Sequence, residues 1–510
     1  MNKILRNAVF RIGLILASLI LQLTLWYGIT LLLGNYSNLS FVILLLISTL
    51  CITYIILKEG YSEVKISWIV FIFLLPVTGV FFYLTFSGQV LIKGRKEINK
   101  KINQRLKSQI KPISSFDVDD IVNRQDVKRH IRYLNDIALS PAQINTQTQY
   151  YKVGEEFLEP LLDELKKAEK FIFLEYFTIK EGEVWSRIEK VLFDKASKGI
   201  EVRVMYDEIG SLFTVDKEFS KKLLKNGVKC EVFNPYANII TAGYNNRDHR
   251  KICVIDGNVG FTGGINIADE YFNKFEKHGH WKDTAIKLKG EAVYNLTVMF
   301  LAMWESVTKK EENFEKYMPT EKYNSDGIVQ PFYDNPYDGN AVGETVYMNI
   351  LNTACNYVYI TTPYLVISRE MIVALTTASK SGVDVKIITP QIPDHKIIQF
   401  LSRSFYQELI DAGVEIYEYS LGFIHSKMFV SDDETAVVGT INLDYRSLLL
   451  HYECGVSIYN NSSIKDIKKD FLDTLNISTQ IKDSPIKLTG IKGFFNFLAL
   501  GILRIFAPLT

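Results

Sequence analysis

Two eight-residue stretches constrain this chain more than anything else in it: His249-Arg250-Lys251-Ile252-Cys253-Val254-Ile255-Asp256 and His425-Ser426-Lys427-Met428-Phe429-Val430-Ser431-Asp432. Both read H-x-K-x4-D. In a strand, residues two apart share a face, so each His and its Lys are expected to look into one site. The run after each Lys is apolar and β-prone, as a buried strand requires. A Gly-rich turn follows in each case, Gly263-Gly264-Ile265-Asn266 and Gly439-Thr440-Ile441-Asn442. There the backbone can come close to a ligand and the Asn amide can donate to it. At ordinary residue frequencies, His residues with a Lys and an Asp at these offsets arise by chance about 0.03 times in a chain of this size. Two copies, each with the same turn, are not chance.

The residues suit phosphodiester transfer. Phosphate is anionic: Lys251 and Lys427 supply point charges, and Asn266 and Asn442 supply neutral donors. Histidine can serve as nucleophile, base or acid near neutral pH. Two of them divide the labour, His249 attacking phosphorus while His425 protonates the leaving oxygen, or the reverse. With lysines to stabilise charge, neither a metal nor another cofactor is expected. Each half also carries a later carboxylate on an expected strand, Asp283 and Glu453. Asp256 and Asp432 are grouped with the catalytic residues, although they could instead bond backbone beside the site. The sequence leaves open which carboxylates serve the histidines. Arg247, Arg250 and Arg446 could hold a second phosphate or stand solvated. His130, His278, His280, His395 and His451 are expected at ordinary surface or core positions.

These motifs resemble the two HKD motifs of the phospholipase D superfamily. From about residue 68 onward the chain is similar to the bacterial cardiolipin synthases. The likeness is carried by 68–88 with Pro76, Gly79 and Tyr83, by Leu174-Glu175-Tyr176-Phe177 and by Gly263-Gly264-Ile265-Asn266. It continues through Thr362-Pro363-Tyr364, Gly413-Val414-Glu415-Ile416-Tyr417-Glu418-Tyr419 and Pro508-Leu509. The resemblance implies that an acid at the place of Asp283 and Glu453 orients the catalytic His. It also implies that phosphatidylglycerol is both donor and acceptor, giving cardiolipin and glycerol through a phosphohistidine. A membrane-bound hydrolase releasing phosphatidic acid is the competing enzyme. A nuclease would need a basic or aromatic groove, and the net charge of +1 hints at none; nucleic acid is not an expected partner. A dead lipid-binding scaffold would not need both motifs complete.

The rest of the chain fits a membrane enzyme. Residues 12–33, 41–57 and 66–86 are apolar runs, the last interrupted by Pro76 and Gly79, and are expected to anchor the chain in the cell membrane. Lys93, Arg95, Lys96, Lys100, Lys101, Arg105, Lys107 and Lys111 follow, so the catalytic part is expected on the cytoplasmic side. Lys3, Arg6 and Arg11 ask the same of the N-terminus, which three full spans cannot satisfy; the Pro76 region is the candidate for a re-entrant segment. Five scattered cysteines without a C-x-x-C argue against a disulfide framework or zinc site.

The expected organisation is an anchor over 1–90, a basic helical connector over 91–150, one half over 151–330, a second over 331–484, and an apolar tail over 485–510. The tail would lie at the membrane interface or pack on the body. In the first half, helices are expected at 157–170, 184–198 and 217–226, and strands at 171–178, 200–207 and 229–233. The second half repeats this order at 345–354, 369–381 and 394–412, with strands at 357–362, 383–389 and 415–419. Alternation of this kind implies an α/β fold: a duplicated phospholipase D-like domain of two mostly parallel sheets flanked by helices. A pseudo-two-fold would bring both motifs to one cleft.

Overall fold

The computed structural model describes residues 24, 37–87, 93–235 and 245–509. They fall into two compact units, one holding the apolar N-terminal helices and the last residues of the chain, the other the described residues between 94 and 497.

The first unit contains α1 (Ser37–Leu57), α2 (Ser62–Leu74) and α3 (Pro76–Phe86). The third apolar run is therefore a helical hairpin, not one continuous segment. Proline has no N–H to continue a helix and fits the first turn of a new one, so α2 ends at Leu74 and α3 begins on Pro76. The two helices cross where Gly79 leaves room, since a Cβ there would lie 2.6 Å from Ile72 Cα. Trp68 meets Tyr83 edge-on at 5.4 Å, and Ile55, Ile72 and Tyr83 are buried between the three helices. At 1.5 Å per residue α2 and α3 reach about 20 and 16 Å, short of the roughly 30 Å of a bilayer core. Among the described residues one helix, Gly490–Leu509, is long and apolar enough to cross a membrane by length and composition; Val42–Leu57 and Pro76–Thr85 are apolar but shorter. The C-terminal end meets α2 through Phe506 on Phe71 and Ser67 Oγ on the Ile505 carbonyl. The run 12–33 lies outside the described residues except for position 24.

The second unit begins with α4 (Lys93–Gln109) and is built on two sheets. The first takes β1 (Thr146–Tyr151), β2 (Phe171–Tyr176), β3 (Glu201–Asp207), β4 (Lys229–Phe233), β5 (Lys251–Ile255) and β6 (Val259–Gly263), a separate short strand β7 (His280–Lys282) intervening before β8 (Ala285–Gly290). Their order across the sheet is β1-β8-β6-β5-β2-β3-β4. The second takes β9 (Ile328–Asp334), β10 (Tyr357–Thr361), the short β11 (Leu365–Val366) standing apart, β12 (Asp384–Pro390) and β13 (Glu415–Tyr419). After another separate strand, β14 (Gly422–Ile424), come β15 (Met428–Ser431), β16 (Thr435–Gly439), the short β17 (Leu443–Asp444), β18 (Glu453–Tyr459) and β19 (Ser478–Ile481). Its order is β19-β13-β12-β10-β15-β16-β18-β9.

The duplication is visible strand by strand, but the sheets are mixed and not mostly parallel. Within these two sheets, among the described residues, only β2-β3-β4 and β10-β12-β13 run parallel, because they are joined by helical crossovers. The motif strands β5 and β15 turn back through short loops and pair antiparallel with β6 and β16. Both loops begin on residues with positive φ, Asp256 (54°) and Gly257 (71°) in one, Asp432 (55°) and Asp433 (59°) in the other, the twist that short hairpins favour. Strands β6 and β8 face β16 and β18, so the halves pack through their antiparallel sides. The expected helix over 394–412 is two pieces, Lys396–Arg403 and Tyr406–Ile410.

Candidate active site

The two motifs enter their sheets alike. Lys251 opens β5 in register with Tyr176 of β2, and His249 stands just before it. Met428 opens β15 opposite Thr361 of β10, with Lys427 and His425 ahead of it. All four side chains are buried.

Each histidine is clamped by the opposite half. The His249 backbone N–H donates to the Tyr452 carbonyl at 2.9 Å, and His249 Nδ1 lies 2.9 and 3.0 Å from the two carboxylate oxygens of Glu453. The His425 N–H donates to the Lys282 carbonyl at 2.7 Å, and its Nδ1 lies 2.6 Å from Asp283 Oδ2. Short parallel contacts bring these segments together: β14 pairs with β7, and Asp248 bridges to Tyr452. With Nδ1 turned to a carboxylate, Nε2 is the ring atom left for a substrate. The site exists only when both halves are present.

The lysines complete the symmetry. Lys251 Nζ rests on the His249 carbonyl and Lys427 Nζ on the His425 carbonyl, with Lys427 also 2.8 Å from His425 Nδ1. Burial lowers Lys251 to about 8, with Glu453 and Asp283 pulling it back up. Burial lowers Lys427 to about 7. Burial, then Lys427, holds His425 at about 4, and burial with Lys251 pushes His249 well below the usual imidazole range. Burial raises Glu453 to about 8. The site therefore holds neutral imidazoles beside two lysines whose charged forms an anion would stabilise.

Aromatic rings wall the two sides differently. Phe177 stands edge-on to His249 at 5.0 Å, and the His451 ring lies 5.9 Å away. Around His425 stand Tyr271 at 5.4 Å and Trp281 and Phe423, each at 5.7 Å. Two imidazoles, two lysines and two carboxylates thus meet in one buried site, the residue types that phosphoryl chemistry asks for.

A family model described as "Cardiolipin synthase, PLD-like domain" matches residues 161–304 and 347–475, more than half of the chain. A second, "Phospholipase_D-nuclease N-terminal", matches 44–88. The chain belongs to the cardiolipin synthase family of phospholipase D-like proteins. A cardiolipin synthase of Geobacillus sp. (strain WCH70) is 34% identical over 489 residues, 94% of this chain and 95% of its own. One of Alkalihalophilus pseudofirmus is 33% identical over 474 residues, 91% of this chain and 92% of its own. A protein of Streptococcus mutans serotype c, described as uncharacterized, is 44% identical over 431 residues, 83% of this chain and 92% of its own. Among solved structures, phosphatidylserine synthase of Haemophilus influenzae Rd KW20 superposes with a TM-score of 0.57 at 17% identity, covering 76% of this chain and 99% of that one. That likeness speaks for the fold.

Within this family member the structure moves several residues away from their expected places. Asp256 and Asp432 do not stand with the histidines. Asp256 accepts the backbone N–H groups of Glu169, Lys170 and Phe171 at 2.7–2.8 Å. Asp432 accepts those of Cys355, Asn356 and Tyr357 at 2.7–3.0 Å, and Arg124 besides. A strand rises about 3.3 Å per residue, so five residues carry each Asp roughly 16 Å beyond its Lys. Both tie the motif hairpin to the start of the neighbouring strand.

Arg247 and Arg250 are neither solvated nor open to a second phosphate. Arg247 is buried against Asp207 at 2.9 Å, and Arg250 pairs with Glu175 at 2.5 Å and Asp248 at 3.1 Å. Asn266 spends its amide inside the fold: Oδ1 accepts from Thr178 N–H, and Nδ2 donates to the Tyr271 hydroxyl at 2.8 Å. It holds Tyr271 edge-on to His425. Asn442 is buried, its Oδ1 without a hydrogen-bond partner among the described residues. The Gly-rich turn accommodates the Asp283 carboxylate, since a Cβ on Gly264 would lie 2.0 Å from Asp283 Oδ1. Thr440, at the matching place, hydrogen-bonds Glu453.

His451, expected at an ordinary surface or core position, stands instead beside His249. Its place two residues before Glu453 matches Trp281 before Asp283, a correspondence available from alignment of the two halves. His130 is a core residue edge-on to Tyr459.

Proposed function

We propose that this chain is a cardiolipin synthase, transferring the phosphatidyl group of one phosphatidylglycerol to a glycerol hydroxyl of another and releasing glycerol. The crossed His–carboxylate pairs carry this reading, because they leave two imidazole Nε2 atoms for two complementary tasks. His249 Nε2 attacks phosphorus. As the P–N bond forms, the P–O bond to glycerol breaks and His425 delivers a proton to the departing oxygen. His425 then takes the proton of the incoming hydroxyl, whose oxygen attacks phosphorus and releases His249. The near two-fold symmetry allows the histidines to exchange these roles. Lys251 and Lys427 balance the phosphate charge, and that charge in turn raises the lysines and His425. Glu453 and Asp283 fix ring orientation, while Asp256 and Asp432 support the hairpins.

Membrane lipids are the expected surroundings. The apolar α1, the α2–α3 hairpin and the apolar helix Gly490–Phe506 support an anchor at the cell membrane. The exposed Lys100, Lys101 and Lys107 of α4 support a cytoplasmic catalytic unit.

Purified protein in detergent–phosphatidylglycerol micelles tests the reading. Cardiolipin with equimolar glycerol is the expected outcome. Phosphatidic acid as the main product would make the enzyme a hydrolase.

A further inference from the structure

Helix α4 follows the apolar segments directly, and its exposed face carries Lys100, Lys101, Gln104 and Lys107. Its opposite face, Asn99, Ile102 and Leu106 at helical spacing, is buried. Arg105 fastens it to Glu305 and Glu311 and lies over the Phe314 ring at 4.8 Å. Buried at this interface, Asn99 Nδ2 donates to the Tyr452 hydroxyl at 3.1 Å.

Tyr452 is the residue that holds the first histidine. Its carbonyl receives the His249 N–H, its own N–H donates to the Arg247 carbonyl at 2.8 Å, and its C-terminal neighbour is Glu453. Its ring packs against Phe233 at 5.5 Å and lies under the Arg250 guanidinium at 5.8 Å. Lys282 plays the matching part for His425, and its side-chain tip is also tied down, by Asp470 at 2.8 and 3.0 Å and the Lys152 carbonyl at 3.0 Å. The duplicated fold thus anchors both residues that present a carbonyl to a catalytic histidine. The Lys282 anchor comes from within the two halves. The Tyr452 anchor comes from α4, outside both.

We infer that α4 is a positioning element of the active site, Asn99 holding Tyr452 and through it the His249–Glu453 pair. Asn99 and Tyr452 are positioning residues, and α4 is more than a tether to the apolar segments. The inference rests on His249 taking part in the chemistry proposed above.

The test is a double-mutant cycle of Asn99→Leu, Tyr452→Phe and the pair in the full chain, assayed in phosphatidylglycerol micelles with thermal unfolding in parallel. Lys100→Ala/Lys101→Ala serves as control. Each single variant is expected to lose roughly ten- to hundredfold in kcat with KM unchanged. The double variant should lose no more than the worse single, and the control should match the unmodified chain. Activity of Tyr452→Phe within twofold of the unmodified chain would overturn the inference. So would multiplicative losses in the double variant, or losses that follow unfolding temperature alone. Tyr452→Phe keeps the ring packing, so it reports even if Asn99→Leu folds poorly. The readout is whichever phosphatidyl product the unmodified chain makes, so a failed synthase reading and a failed positioning reading are told apart.

Discussion

A lysine buried away from water gives up its proton more readily than one on the surface, and Lys251 and Lys427 both sit in that setting. Their values of about 8 and about 7 lie well under the usual 10.4 or so. The protonated forms hold phosphate, so kcat/KM should fall as pH rises through about 7 to 8. His249 must be neutral to attack phosphorus, and burial holds it well below the usual imidazole range, so the acid limb should lie below the ordinary imidazole value near 6.5. A pH–rate profile checks both limbs; an alkaline limb near 10 would contradict the buried-lysine account. Gly264→Ala probes the orienting acid. The added Cβ would collide with Asp283, so activity should fall roughly a hundredfold while phosphatidylglycerol still binds. Unimpaired turnover would remove Asp283 from the mechanism. At this scale the sequence was legible where chemistry fixes spacing, as in His249, Lys251, His425 and Lys427. It was silent on which half supplies each acid, because those pairings are made by strands β7 and β14, only three residues long and from different halves, and by the single Asp248–Tyr452 bridge.

The elements were legible to the extent that their pattern was local. The crossovers around β2-β3-β4 and β10-β12-β13 lie close to their expected bounds because amphipathic helices and apolar strands alternate there. The antiparallel side was less so: Asp256-Gly257 is a hairpin signal, yet Asp432-Asp433 takes the same backbone without a glycine. The conserved geometry of these turns explains why each carries an aspartate, whose carboxylate gathers three amide donors of the next strand's entry. Asp432→Ala should therefore cost about 2 to 4 kcal/mol of stability, measured by denaturant unfolding, with activity per folded molecule largely retained. Full stability with activity abolished would return Asp432 to the catalytic set. The apolar run 66–86 reads as one segment by hydropathy, whereas Pro76 and Gly79 fold it back on itself.

As a whole, the molecule is a duplication whose two copies are incomplete alone. Each half lends the other a carbonyl and a carboxylate, so neither is expected to retain activity by itself. The symmetry is broken by ring chemistry, with His451 beside His249 and Trp281 beside His425. The measurement that bears most directly on this account is capture of the covalent intermediate. Phosphatidylglycerol labelled in its phosphate is mixed with the enzyme, quenched under alkaline denaturing conditions and the digested protein mapped by mass spectrometry. The account predicts a phosphatidyl adduct on His249 or His425 and on no other residue, with turnover abolished in both His249→Ala and His425→Ala. An adduct elsewhere, or turnover surviving either substitution, would contradict it.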